Sequence, residues 1–253
     1  MLDTCELATL YRTTPMRDST PFVAFIPCRA GSVRVPNKNT TPFGQNRDGL
    51  IGRKLGQLQA SKRLNKIVVS TDDPIVDETA KAYATNSPIA IEVVERPKEL
   101  ALAGVLDPLI LHAAALVGTG VLCWMHVTSP FFDAEWVDIA CDEYSKEVQN
   151  GPHDSLMGVS RKHDFYWRNG KCISHDRSVV KWPQTQDIEP FFEVNSTIFM
   201  APTDLIHKTA DRIGPKPYLW EVPKRQAMDI DWPDDFALAE VIALQEAGAT
   251  LAP

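Results

Sequence analysis

The sequence predicts an α/β protein: a mostly parallel β-sheet with helices packed on both faces. Three observations lead there. Short apolar runs alternate with helical patterns through the first half of the chain, and strand–helix alternation implies βαβ crossovers. Polar and charged residues collect directly after each apolar run, where sheets of this kind bind ligands, beyond the carboxyl ends of the strands. The chain has 253 residues, 44% hydrophobic and 23% charged, which is ordinary for a globular protein and enough for one ample core.

The elements follow in order. The first twenty residues, "MLDTCELATLYRTTPMRDST", mix Asp, Glu and Arg into a weakly apolar stretch. They lack the apolar centre of a signal peptide and read as an N-terminal extension. Strands are predicted at Phe22–Pro27, Lys66–Thr71, Ile89–Val94 and Val121–Val127, each a short apolar run. Helices are predicted at Leu50–Arg63, Pro74–Ala84, Asp107–Val117 and Asp133–Glu147. The cations of "GRKLGQLQASKRL" are expected on the solvated face of the first helix. The stretch from Leu109 to Val127 approaches membrane-span length, but Gly118-Thr119-Gly120 divides it and His112 and His126 would be costly in lipid. It reads as helix, turn and buried strand. The alternation breaks near Gly151, where "RKHDFYWRNGKCISHDR" carries aromatics and an Asn-Gly turn signal and reads as a hairpin-like excursion. Pro190–Met200 looks like a return to the sheet and Asp234–Ala247 like a closing helix. With neither repeat nor linker, residues 1–253 make a single domain with a segment projecting at about 151–190. The aromatics Phe165, Tyr166 and Trp167 on that projection suit either a subunit interface or a local cover for the core.

The net charge of −7 argues against a general nucleic-acid or polyanion binder. It leaves room for one anionic small ligand held by a local cluster of cations. Five widely spaced cysteines without a C-x-x-C pair argue against a disulfide framework or zinc site and fit a reducing cytoplasm. The expectation is a soluble cytoplasmic protein with no membrane and no nucleic-acid partner.

The loop after the first strand is the most informative. In "PCRAGSVRVPNKN", Gly31 and Ser32 let backbone N–H groups approach a ligand. Arg29, Arg34 and Lys38 add positive charge, and Ser32 and Asn39 add neutral hydrogen bonds. Forked and point donors together suit a triphosphate. The spacing matches neither the Walker P-loop nor the dinucleotide fingerprint. Near the other end, "AMDIDWPDD" sets Asp229 and Asp231 on one side of an extended segment and Ile230 on the other. Two hard oxygen ligands on one face suit Mg²⁺, which also binds substrate phosphates. Asp234 and Asp235 read as caps of the last helix. A cationic phosphate loop with a separate carboxylate pair suggests metal-assisted transfer from a nucleoside triphosphate.

These residues resemble the acylneuraminate cytidylyltransferases, the CMP-sialic acid and CMP-nonulosonic acid synthetases, with the related CMP-Kdo synthetases. The phosphate loop of that family runs approximately P-A-R-x-G-S-K-x-x-P-x-K-N. "VVSTDD", "RPKEL", "TSPF", "EVNSTIF" and "DIDWPDDF" follow in the family's order, and the likeness covers roughly residues 22 to 247. The resemblance implies a three-layer, Rossmann-like nucleotidyltransferase fold whose projecting segment serves a homodimer. It implies transfer of CMP from CTP to a 2-keto acid sugar with release of pyrophosphate. By that likeness Arg29, Ser32, Arg34, Lys38, Asn39 and Arg96 would bind CTP, with Arg29 and Lys38 neutralising charge on the leaving pyrophosphate. Asp229 and Asp231 would hold Mg²⁺, and Asp231 would assist deprotonation of the sugar hydroxyl. His126, Thr128, Ser129, Arg168 and Asn195 would line the sugar side, Arg168 pairing with its carboxylate.

The chain departs from the family in four places. Val33 stands where the first loop lysine is expected, His126 where a glutamine is common, and Phe199 where sialic acid enzymes often carry tyrosine. "ALAGVLD" replaces a small polar run after "RPKEL". Two alternatives stay open on the sequence: the same fold acting on another nucleotide or a sugar phosphate, and a nucleotide-binding homologue without catalysis.

Overall fold

The computed structural model describes residues 20–101 and 106–248. Expectations for the N-terminal extension therefore lie outside the described residues, as does most of the altered run after Leu100.

The chain opens with β1 (Phe22–Cys28), buried almost throughout. Its side chains alternate between two cores: Phe22, Ala24 and Ile26 enter one, Val23 and Phe25 the other. A strand covered on both faces reads as a continuous apolar run. Then come α1 (Gly49–Leu58), β2 (Leu64–Thr71), α2 (Pro74–Ala84), β3 (Ala90–Glu95), the single turn α3 (Lys98–Ala101), α4 (Asp107–Val117) and β4 (Val121–Met125). The apolar stretch from Leu109 is thus helix, glycine turn and buried strand, as expected, and no described helix is long and apolar enough to cross a membrane. The second half adds α5 (Ala134–Tyr144), β5 (Ser155–Lys162), the small hairpin β6 (Trp167–Arg168) and β7 (Lys171–Cys172), β8 (Phe191–Pro202), α6 (Thr203–Thr209), β9 (Pro217–Glu221) and α7 (Pro233–Glu246).

Seven strands form one sheet in the order β3-β2-β1-β4-β8-β5-β9. Every neighbouring pair is parallel except the two that β8 makes with β4 and β5. One core packs α1, α2 and α5 on one face, and α4 and α6 cover the other. This is the predicted three-layer, Rossmann-like α/β fold.

Three details differ from expectation. First, α1 ends at Leu58 rather than Arg63. Asp138 on α5 accepts from Ser61 Oγ at 2.5 Å and from the backbone N–H groups of Lys62 and Arg63, which draws the chain off the helix axis. Second, β5 lies in the main sheet, so the part of the chain outside it begins after Lys162 rather than near 151. Gly158 hid this strand by interrupting its pattern. A Cβ there would meet Thr197 Oγ1 at 2.4 Å, so the glycine lets β8 close on β5. Third, α6 and β9 carry too little periodicity to stand out in the sequence.

Candidate active site

The strand order reverses around β1, whose neighbours are β2 and β4. The crevice beyond the carboxyl ends of β1 and β4 is therefore the switch point where ligands of such sheets bind. A cavity opens there, lined by Arg29, Ser32, Lys38 and Asn39 from the first loop and by His126 and Thr128 from the loop after β4.

The first loop is held from several sides. Asp72, after β2, accepts from the Ala30 N–H at 2.8 Å. Asn39 Nδ2 donates to the Arg29 carbonyl at 3.3 Å, and the Asn39 carbonyl accepts from Ile51 N in α1 at 3.0 Å. Gly49, at φ +68°, makes that junction possible, since a Cβ would lie 2.7 Å from the Asn39 carbonyl oxygen. Gly31 and Asn37 also have positive φ, of 70° and 51°, which folds the loop over the sheet end. Arg29 turns back on its own loop, donating to the Gly31 carbonyl at 3.2 Å. Val33 is 82% exposed at the rim of the cavity and brings an apolar side chain rather than a cation. The polar cluster after β2 is spent on structure: Asp72 holds Ala30, and Asp73 caps α2 through Ile75 N.

The carboxylate pair meets this loop. Ile230 is fully buried while Asp229 and Asp231 on either side reach the surface. Lys38 Nζ donates to the Ile230 carbonyl at 2.6 Å, and Ile230 N donates to the Thr128 carbonyl at 2.9 Å. Asp235 accepts from Asp231 N at 3.0 Å and Trp232 N at 2.7 Å, fixing the segment to the start of α7. Arg34 pairs with Asp231 at 2.7 Å, its guanidinium 5.1 Å from the centre of the Trp232 ring. Burial lowers the Lys38 ammonium pKa, opposed by the nearby charges of Asp231 and Asp229. Burial raises the Asp229 carboxyl pKa, opposed by a hydrogen bond from Thr128 and by Lys38. Asp229 Oδ1 is buried with no hydrogen-bond partner among the described residues. A buried anionic oxygen left unpaired beside a second carboxylate fits a hard divalent cation. No group of three or more His, Cys, Asp or Glu side chains that could hold a metal occurs among the described residues. Asp229 and Asp231 would thus share an ion with phosphate oxygens and water.

The loop after β4 is braced from beneath. Lys54 in α1 is 1% exposed, and its Nζ donates to the carbonyls of Ser129 at 2.8 Å and Phe132 at 2.6 Å. Arg53 Nε and Gln57 Nε2 both reach the Pro130 carbonyl at 2.8 Å. Arg53 and Lys54 are therefore not a solvated face, as the helical pattern suggested. They are loop anchors, and burial pushes the Lys54 pKa down to about 7. The signal was present in the sequence: Lys54 stands four residues from Leu50 and from Leu58, on the apolar stripe of the helix.

The remaining candidates have surroundings of their own. Arg96, at the end of β3, is buried and donates to the Ser70 carbonyl at 2.6 Å and to Ser70 Oγ at 3.2 Å. Ser129 Oγ is buried without a partner among the described residues. Asn195 donates to Ser160 Oγ at 3.2 Å and accepts from Thr197 Oγ1 at 2.7 Å, so both ends of its amide are engaged within the sheet. Arg168 is exposed on the β6–β7 hairpin and does not line the cavity.

Comparison with known proteins bears on the fold and the family. The chain is 28% identical over 229 residues to the CMP-N,N′-diacetyllegionaminic acid synthase of Legionella pneumophila, covering 86% of this chain and 94% of that one. In fold it matches a CMP:2-keto-3-deoxy-manno-octonic acid synthetase complexed with CTP, at TM-score 0.62 and 12% identity over 90% of this chain and all of that one. It also matches a 4-diphosphocytidyl-2C-methyl-D-erythritol synthase, at TM-score 0.62 and 14% identity over 88% of this chain and 98% of that one. The family model for cytidylyltransferases matches residues 23–149, half of the chain, spanning the cationic first loop, the braced loop after β4 and α5. This chain is a nucleotidyltransferase enzyme and belongs to the cytidylyltransferase family.

Proposed function

We propose that the enzyme transfers CMP from CTP to the anomeric hydroxyl of a 2-keto acid sugar of the nonulosonic type, releasing pyrophosphate. The observation that carries this is the junction at Ile230. The phosphate loop grips its carbonyl through Lys38, and the loop after β4 grips its N–H through Thr128. A triphosphate on the first loop and an acceptor hydroxyl on the loop after β4 would thereby meet at the carboxylate pair. The legionaminic acid product named for the Legionella relative supports an acid sugar as acceptor.

Arg29, Ser32, Arg34, Lys38 and Asn39 bind the triphosphate, and Arg96 stands on the nucleoside side. His126, Thr128, Ser129 and Asn195 stand on the acceptor side. Arg168 reaches an acceptor only from a second copy of the chain, in a homodimer. The sugar oxygen attacks the α-phosphorus, and the bond to the bridging oxygen breaks in line, its electron pair leaving with pyrophosphate. The hydroxyl proton passes to Asp231, which Arg34 releases as it turns from the carboxylate to a phosphate oxygen. Arg29 and Lys38 balance the charge that grows on the leaving group. Asp229 and Asp231 would hold Mg²⁺, which would supply charge neutralisation for the phosphates.

The test is pyrophosphate release from CTP and Mg²⁺ with N-acetylneuraminic, legionaminic, pseudaminic and Kdo-type acids. Asp229→Asn and Lys38→Ala variants run beside it, as do ATP, UTP and GTP in place of CTP. Turnover with CTP and one acid sugar, lost in both variants, is the expected result. Turnover only with another nucleotide or a sugar phosphate would overturn the proposal, as would failure of the protein to bind CTP.

A further inference from the structure

Arg212 takes no part in the phosphate loop or the carboxylate pair. It lies in the turn between α6 and β9, with its guanidinium 3.7 Å from the centre of the Phe199 ring and 5.4 Å from that of Trp124. Phe199 and Trp124 stand directly opposite each other on β8 and β4, so they form one aromatic floor under the cation. Stacking covers a face of the guanidinium and leaves its N–H edge to other partners. Among the described residues none is present: Arg34, Arg63 and Arg161 each pair with a carboxylate, whereas Arg212 has neither an ion pair nor a hydrogen-bond acceptor. Its neighbour Asp211 turns to the backbone N–H of Ile213 instead. Burial lowers the Arg212 pKa, opposed by the nearby charge of Asp211.

The floor continues to the cavity. Trp124 Nε1 donates to His126 Nε2 at 3.0 Å, and His126 lines the cavity beside Arg29, Lys38 and Thr128. An indole N–H is a donor only, so His126 Nε2 must be the acceptor and Nδ1 carries the hydrogen. Burial and the charges of Arg212, Lys38 and Lys54 keep the ring neutral, pushing its pKa down to about 3. His126 thus offers a neutral ring N–H at the cavity wall, and behind it, across the Trp124 ring, stands the half-buried Arg212 fork, both donors without an acceptor among the described residues. Donors gathered without acceptors match a carboxylate. In a 2-keto acid sugar the carboxylate is carried by the same carbon as the attacking hydroxyl, so it must sit next to the reacting phosphorus. Without a cation of its own it would be repelled by the triphosphate and by Asp229 and Asp231.

We propose that Arg212 binds the carboxylate of the acceptor, with His126 Nδ1–H as a second donor and Trp124 as the positioning residue that fixes the His126 tautomer. This rests on an acid sugar being the acceptor, and it assigns the carboxylate to a residue of the same chain rather than to Arg168.

The test compares the acid sugar that turns over with its C1 carboxamide. Wild type should favour the acid by about 100-fold in kcat/KM, the scale of a charge-assisted hydrogen bond. Arg212→Met, which keeps an apolar chain on Phe199, should lose about that factor on the acid and little on the amide, with KM for CTP unchanged. Arg212→Lys should recover part of the loss. An acid-to-amide ratio that survives Arg212→Met and collapses in Arg168→Met would overturn the proposal. Equal losses on both acceptors together with a raised KM for CTP would reduce Arg212 to a structural role. ¹⁵N NMR of the wild-type protein should find the hydrogen of His126 on Nδ1, and finding it on Nε2 would remove the second donor. If wild type turned over no acid sugar at all, the acceptor class itself would fall, an outcome distinct from any ratio measured in the variants.

Discussion

Asp229 is held in a costly state. Its Oδ1 is buried and unpaired among the described residues, and burial raises its pKa above the ordinary carboxylate value. Where the folded pKa is raised, the charged form destabilises the protein at every pH above it, and the penalty disappears below the unfolded pKa. Asp229→Asn should therefore melt at a higher temperature than wild type at pH 7 without metal, and the gain should vanish as the pH falls toward 3. Turnover should drop at least about 100-fold in the same variant, because a developing charge loses its stabilisation. Calorimetry across pH beside a pyrophosphate assay checks both, and a variant less stable than wild type at pH 7 would contradict the account. Metal affinity in wild type should weaken as pH falls through the raised Asp229 pKa, a threshold above that of an ordinary carboxylate. Lys38→Met should raise KM for CTP by about 10- to 100-fold, the effect of removing one phosphate cation together with its clamp on Ile230. At this scale the sequence was informative where chemistry dictated residue type. Alternation around Ile230 anticipated its burial between two outward carboxylates, and the cationic run anticipated a loop that lines the cavity. Arg212 was silent, because only the pairing of Phe199 with Trp124 across β8 and β4 makes it a site residue.

The elements carry the chemistry through their loops, and α1 is the clearest case. Its Lys54, Arg53 and Gln57 all donate to carbonyls of the loop after β4, so the helix sets where Thr128 stands. In Lys54→Met two opposing effects nearly cancel. A buried charge is removed, which helps, and two carbonyls lose their donor, which costs about 1–3 kcal/mol each if they stay buried. Stability should move by no more than about 2 kcal/mol, whereas turnover should fall about tenfold or more as the loop slackens. Denaturant melts and kinetics on one preparation separate these outcomes, and full activity in a folded Lys54→Met would show that the loop needs no anchor. Helical period reveals which residues share a face, but not whether that face meets solvent or the underside of a loop. The apolar stripe through Leu50 and Leu58 held the answer, and the charge on Lys54 masked it. The end of α1 was misread for a related reason: Asp138 lies 75 residues or more away in sequence, and local propensity cannot see it.

Across the whole molecule, the βα alternation of the first half translated directly into parallel strands, because each crossover leaves a local pattern. The second half was harder to read: β8 runs against its neighbours, and β9 joins β5 only after a long detour. The segment between Lys162 and Phe191 has a small cluster of its own, with Phe165 against Trp182 and Tyr166 against Phe191. That cluster leaves apolar side chains outward: Val179 is 77% exposed, Val180 47% and Trp182 64%. Contiguous exposed apolar surface of this kind marks an interaction site, and a second copy of the chain is the partner that would also carry Arg168 to an acceptor. Sedimentation should find twice the monomer mass at micromolar concentration. Val179→Asp with Val180→Asp should halve it while leaving the melting temperature of the protomer fold nearly unchanged, since neither side chain is buried in the protomer. Turnover would then separate two roles for the pairing. If it falls in parallel with the dimer, the partner contributes to the site. If the monomer remains fully active on the acid sugar, the chain holds every residue the reaction needs, Arg212 among them.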